Sequence, residues 1–118
     1  MHYLFSRHIM LEVAIVTTTL PISYSNEEVK AFNNNALSNN LCACTQSNKI
    51  TSSYKWDNQI ITEEEWKISF KTSNNKLNDL INFITLNHPY DVPQITHQIV
   101  KTTKEYFDWL NNVLNPNQ

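Results

Sequence analysis

The chain has 118 residues, enough for one domain with one core, and 9 Lys and Arg against 11 Asp and Glu leave a net charge of −2. No basic field exists to draw in nucleic acid or anionic lipid. Glycine is absent, which excludes every phosphate cradle built on it, the Walker loop and the dinucleotide fingerprint included. Left-handed turn positions then fall to Asn or Asp, and the chain holds 17 Asn.

Met1 to His8 reads as an extension, so the single domain is expected over 11–118. Ile9 to Ile22 is apolar but is broken by Glu12 and by Thr17 to Thr19, too short and too polar to cross a membrane. It lacks the basic region and cleavage site of a signal peptide, which favours the cytosol. Leu11 to Thr19 is rich in Val, Ile and Thr and reads as a buried strand that Pro21 ends. Ser25 with Glu28 forms a capping box, and Val29, Phe32, Ala36 and Leu37 line one face of the helix that follows.

Leu41 to Trp56 is the next extended region, with a bend or bulge expected in its polar middle, Gln46 to Lys49. Its first residues include Cys42 and Cys44. Two residues apart on a strand, they share a face at about 7 Å, too far for a comfortable disulfide. Packing is the expected role of this pair, in a reducing compartment; binding of a soft metal is the alternative.

Asp57-Asn58 is a hairpin turn signal. The return strand runs from Gln59 to Thr72, with Trp66, Ile68 and Phe70 toward the core and Lys67, Ser69 and Lys71 away from it. Trp56 is expected to be buried with this stripe. Glu63-Glu64-Glu65 reads as a solvated edge, or else Glu65 pairs with Lys71 or with a base of a neighbouring subunit.

Ser73 or Asn74 caps a second helix, carried by Leu77, Leu80, Ile81 and Ile84. It must stop by Asn87, because His88 precedes Pro89. His88-Pro89-Tyr90-Asp91-Val92-Pro93 reads as a rigid, extended entry into a strand over Val92 to Val100, with Tyr90 and Val92 packed between the prolines. Ile95, His97 and Ile99 share a side of that strand, which makes His97 a buried or interface residue. Thr102-x-x-Glu105 reads as a capping box opening a last helix, with Tyr106, Leu110, Val113 and Leu114 inward.

The order β-α-β-β-α-β-α is the split β-α-β pattern of an α+β, ferredoxin-like fold with one further helix. Two helices on one face of an antiparallel sheet would leave the other face bare, and a bare face on so small a domain calls for a partner. No Ser-His-Asp order, carboxylate pair or Cys-His nucleophile can be argued from the spacing, so an enzyme on the open face is disfavoured. His88 is a candidate metal ligand or turn-holding hydrogen-bond partner. His2 and His8 lie in the extension, and His97 is too far along a strand from His88 to share an ion within one subunit.

Several segments taken together resemble the CutA divalent-cation-tolerance family. They are Leu41-Cys42-Ala43-Cys44, Ser53-Tyr54-Lys55-Trp56-Asp57-Asn58, Glu65, Lys71-Thr72, His88-Pro89-Tyr90-Asp91-Val92-Pro93 and Tyr106-Phe107-Asp108-Trp109-Leu110. The resemblance covers about Glu12 to Leu114. It implies a non-enzymatic, PII-like homotrimer whose long hairpin joins neighbouring sheets, with a role in divalent-cation tolerance, copper above all. On it, Tyr54, Trp56, Glu65, Lys71, His88, Tyr90 and Trp109 become candidates for an inter-subunit cleft. The alternative is a PII-like signalling trimer binding a small ligand there.

Asn58 stands where the family has Gly. Gln46 to Ile50 replace a Pro-Gly bend, and Thr102-Thr103-Lys104 replace a Gly. Thr17 and Asn87 stand where bacterial members carry a Cys and a second His. His88 is then the one metal ligand carried over, and weak copper or zinc binding is the expectation.

Overall fold

The computed structural model describes residues 11–117. The extension, with His2 and His8, lies outside the described residues. The observed elements are β1 (Glu12–Pro21), α1 (Asn26–Ser38), β2 (Cys44–Trp56) and β3 (Gln59–Thr72), then α2 (Leu77–Asn87), β4 (Ile95–Lys101) and α3 (Lys104–Leu114); a 3-10 turn (Asn74–Lys76) precedes α2. The sheet is antiparallel in the order β2-β3-β1-β4, the ferredoxin-like arrangement.

Local chemistry places the helices. Ser25 Oγ accepts from the Glu28 N–H while the Ser25 N–H donates to the Glu28 carboxylate, a complete capping box. Ser73 caps the turn leading into α2, and α2 stops at Asn87. α1 and α2 lie on one face of the sheet over Val16, Leu20, Trp66, Ile68 and Phe70, where Phe32, Leu80 and Ile84 complete the core. The Trp66 Nε1–H is satisfied by the Tyr24 carbonyl at 2.9 Å.

The second face is not bare as the element order suggested. α3 folds back over one end of it, seating Leu110 and Leu114 on Val13 and Ala43, with Tyr106, Phe107 and Val100 alongside. The cap of α3 also shifts by one residue. Thr103, not Thr102, is the N-cap and accepts from the Tyr106 N–H, which leaves Glu105 too early to close a box. Val113 turns to solvent.

The long hairpin is straighter than expected. β2 and β3 keep one register from Cys44↔Lys71 to Trp56↔Gln59, with no bulge at Gln46 to Lys49. Asp57 and Asn58 take φ of 50° and 60°, the two positive values that a tight primed turn requires. β1 stops pairing at Pro21↔Glu65. The hairpin beyond that point has neither a third strand nor a helix beneath it. For that reason Trp56 is 56% exposed and Ile60 77% exposed, against the expected burial of Trp56.

Cys42 is also displaced from its expected strand. It precedes β2 and is buried in the core under the helices, while Cys44 opens β2 beside Tyr106. Both thiols are free, and burial pushes that of Cys42 up to about 12.

Candidate functional site

The alternation of β2 and β3 puts Ser52, Tyr54 and Trp56 on the same face as Ile61, Glu63 and Glu65, opposite the helices. Thr19 of β1 continues this surface. The segment from Pro89 to Gln94 then crosses over it and closes a cleft of about 770 Å³. That segment is bent and not extended, so β4 begins at Ile95 and not at Val92. Tyr90 packs inward as expected. Val92 does not; it is 76% exposed.

His88 sets the bend. Its Nδ1 accepts the Tyr90 N–H at 3.1 Å, which places the ring proton on Nε2. Nε2–H donates to the Thr19 carbonyl at 2.7 Å and lies 3.0 Å from Thr18 Oγ1. Thr18 Oγ1–H in turn donates to the Gln94 carbonyl, holding the far end of the segment to β1. The imidazole meets the edge of Phe32 and stacks obliquely on Tyr90 at 5.0 Å. Burial holds its pKa below the ordinary value; the Thr19 bond and the Glu65 charge oppose that shift.

Two tyrosine–carboxylate pairs line the cleft. Tyr90 Oη–H donates to Glu65 Oε2 at 2.8 Å, and Tyr54 Oη–H donates to Glu63 Oε1 at 2.6 Å. The Tyr90 hydroxyl is held above its usual range by burial first and by Glu65 second. Glu65 is not a solvated edge residue but is 7% exposed. Lys71 is not its partner within the chain, because six residues along one strand put them about 20 Å apart.

The seven candidate residues thus form two groups in one chain. Tyr54, Trp56, Glu65 and Tyr90 line the cleft, and His88 stands behind Tyr90. Lys71 and Trp109 lie at the α3 end, where Lys71 Nζ sits 6.0 Å above the Tyr106 ring and Trp109 packs on Tyr106 at 5.5 Å. His97, on outer strand β4, is exposed in the chain. The sequence reading passed over Glu63, Asp91 and Thr19 as cleft residues. The Asp57-Asn58 turn sets a register that places Glu63 beside Ser52 and Tyr54, so Glu63 could have been found.

A copper or zinc ion does not fit the described residues. Both nitrogens of His88 are engaged, and no three His, Cys, Asp or Glu side chains among the described residues are grouped to hold one ion.

Residues 14–113 match the family described as CutA1 divalent ion tolerance protein. The chain belongs to this family. A probable divalent-cation tolerance protein cutA homolog of Encephalitozoon cuniculi is 33% identical over 98 residues, covering 82% of this chain and 83% of the relative. The solved CutA of Synechococcus elongatus superposes with a TM-score of 0.80 at 28% identity, covering 88% of this chain and 91% of its own. The same cyanobacterial protein complexed with a Bis-Tris molecule superposes at 0.76 and 27%, covering 87% and 94%. No described helix is long and apolar enough to cross a membrane.

Proposed function

We propose that this CutA-family chain is a non-enzymatic homotrimer acting in divalent-cation, chiefly copper, homeostasis. The observation that carries the assembly is the overhanging hairpin. Trp56 and Ile60 stand exposed at its end, and β3 from Gln59 to Glu64 has an unpaired edge. An unpaired strand edge beside exposed apolar side chains such as Trp56 and Ile60 is stable in water when another chain covers it. A cyclic trimer uses one such edge per copy and leaves none over. Lys71 and Trp109 would then complete a neighbour's cleft from the opposite end of the sheet. Two free thiols suit a reducing compartment, so we place the protein in the cytosol.

Under this reading the role in metal tolerance is indirect, and copper or zinc binds no more tightly than micromolar. Sedimentation equilibrium tests the assembly: a single species of about 41 kDa, three times 13.8 kDa, is expected. A stable folded monomer at micromolar concentration would overturn it. Calorimetry with copper under reducing conditions tests the second part, and a nanomolar constant abolished by His88→Ala would restore a direct site. A second reading, a signalling trimer with a ligand in each cleft, is favoured by the cleft itself.

A further inference from the structure

We propose that His88 is a proton-operated latch on the Pro89–Gln94 segment: the neutral ring holds that segment closed over the cleft, and protonation of the ring releases its near end. The latch lies within one chain, so it goes beyond both the assembly and the metal role and depends on neither.

Few bonds hold the segment. Among the described residues, three hydrogen bonds tie residues 89–94 to the groups beneath them. At the far end the Thr18 hydroxyl donates to the Gln94 carbonyl at 2.7 Å. Tyr90 makes the other two, its hydroxyl donating to Glu65 and its N–H to His88 Nδ1. Asp91 and Val92, between these anchors, are exposed. Pro89 and Pro93 restrict the backbone on either side of them. The stretch therefore moves as a piece about its Thr18 anchor.

Geometry makes one of the three bonds sensitive to a proton. Nδ1 accepts the Tyr90 N–H only while it keeps its lone pair, and both nitrogens of an imidazolium are donors. Two N–H groups would then meet at 3.1 Å with no acceptor between them. The Nε2–H bond to the Thr19 carbonyl survives protonation and gains charge assistance. The ring stays on β1 and lets go of Tyr90.

The surroundings set the direction. Thr18 and Thr19 from β1 and Phe32 from α1 face the ring without charge. Glu65 of β3 is the one carboxylate acting on it among the described residues, and Tyr90 is its other titratable neighbour. Burial outweighs Glu65 and keeps the closed ring neutral below the ordinary 6.5. In the assembly proposed above, a neighbour's Lys71 near Glu65 would favour the neutral ring further. Opening returns the ring toward its ordinary pKa, so acid favours the open form.

Amide hydrogen exchange of the full chain, read by NMR as protection relative to an unstructured peptide, tests the latch. Tyr90 should lose at least about threefold of its protection between about pH 7.5 and about pH 5.5. At both values it should be less protected than Val16 in the middle of β1. His88→Gln should abolish the change with pH. Glu65→Gln should keep it and move the midpoint of the folded ring to lower pH, because the carboxylate that favours the imidazolium is gone. Unchanged Tyr90 protection would overturn the proposal. Protection equal to that of Val16 would also overturn it, since the segment would then open only with the whole fold. An equal loss in His88→Gln, or none in Glu65→Gln, would assign the proton to another group and overturn it too. If His88→Gln fails to fold, the parent chain decides: the His88 Nδ1 resonance and the Tyr90 amide should titrate with one midpoint, and two separate midpoints would sink the latch.

Discussion

Trp66 and Trp56 belong to one hairpin and to its opposite faces, and they meet opposite fates. Trp66 lies under α1 and α2 with its indole N–H satisfied, 8% exposed. Trp56 lies past the last β1 pair on the face away from the helices, mostly in water. The helix-covered face is apolar and closed, and its side chains need no other chain. The second face is divided. α3 seals one end with aliphatic and aromatic contacts, and the hairpin end keeps carboxylates, hydroxyls and bare rings. Burial therefore follows what stands above each strand, and the residue type does not predict it.

The widest separation between the two faces should come from the two tryptophans. Trp66→Ala is expected to lower unfolding free energy by about 3–5 kcal/mol, as for large buried side chains. Trp56→Ala should cost the isolated chain no more than about 0.5 kcal/mol and should show its effect in subunit association. Urea denaturation at two protein concentrations reads both. Similar losses that are independent of concentration would erase the contrast.

Next is the sealed end of the second face. Leu110→Ala should cost about 2–3 kcal/mol, because it opens a cavity between α3 and Val13. A loss near zero in the same assay would mean that α3 does not pack there and that the whole face is open.

The His88 hinge between the faces should show in pH dependence. Its folded pKa lies below the ordinary 6.5, so the unfolded chain binds the proton more readily. Stability should be full above about pH 6.5. It should fall as acid is added and level off once His88 protonates in the folded state, where Nδ1 can no longer accept the Tyr90 N–H. His88→Gln should remove that slope. A pH profile identical to the parent's would assign the slope to another group.

The smallest effect is expected at the turn. Asn58 holds φ at 60° where a glycine would pay no steric cost, so Asn58→Gly should be neutral or stabilising by at most about 1 kcal/mol. A clear destabilisation would show that the Asn58 side chain contributes something a glycine lacks.

The fold was largely written in local pattern. Alternation along Trp66, Ile68 and Phe70, the Ser25 box, the stop before Pro89 and the Asp57-Asn58 turn each depend on neighbours a few residues away, and each holds in the structure. The pairing of Tyr54 with Glu63 was legible in the same way, because a two-residue turn sets the register of both strands.

Tertiary structure decided the rest. Where β1 stops pairing determined that Trp56 is exposed, and no property of the Trp56 segment encodes the length of another strand. The return of α3 onto the second face determined that Lys71 meets Tyr106 and not Glu65. His88 became a hinge because β1 offers the Thr19 carbonyl 69 residues earlier in the chain. Contacts over such separations depend on how whole elements dock, which periodicity along one segment cannot record.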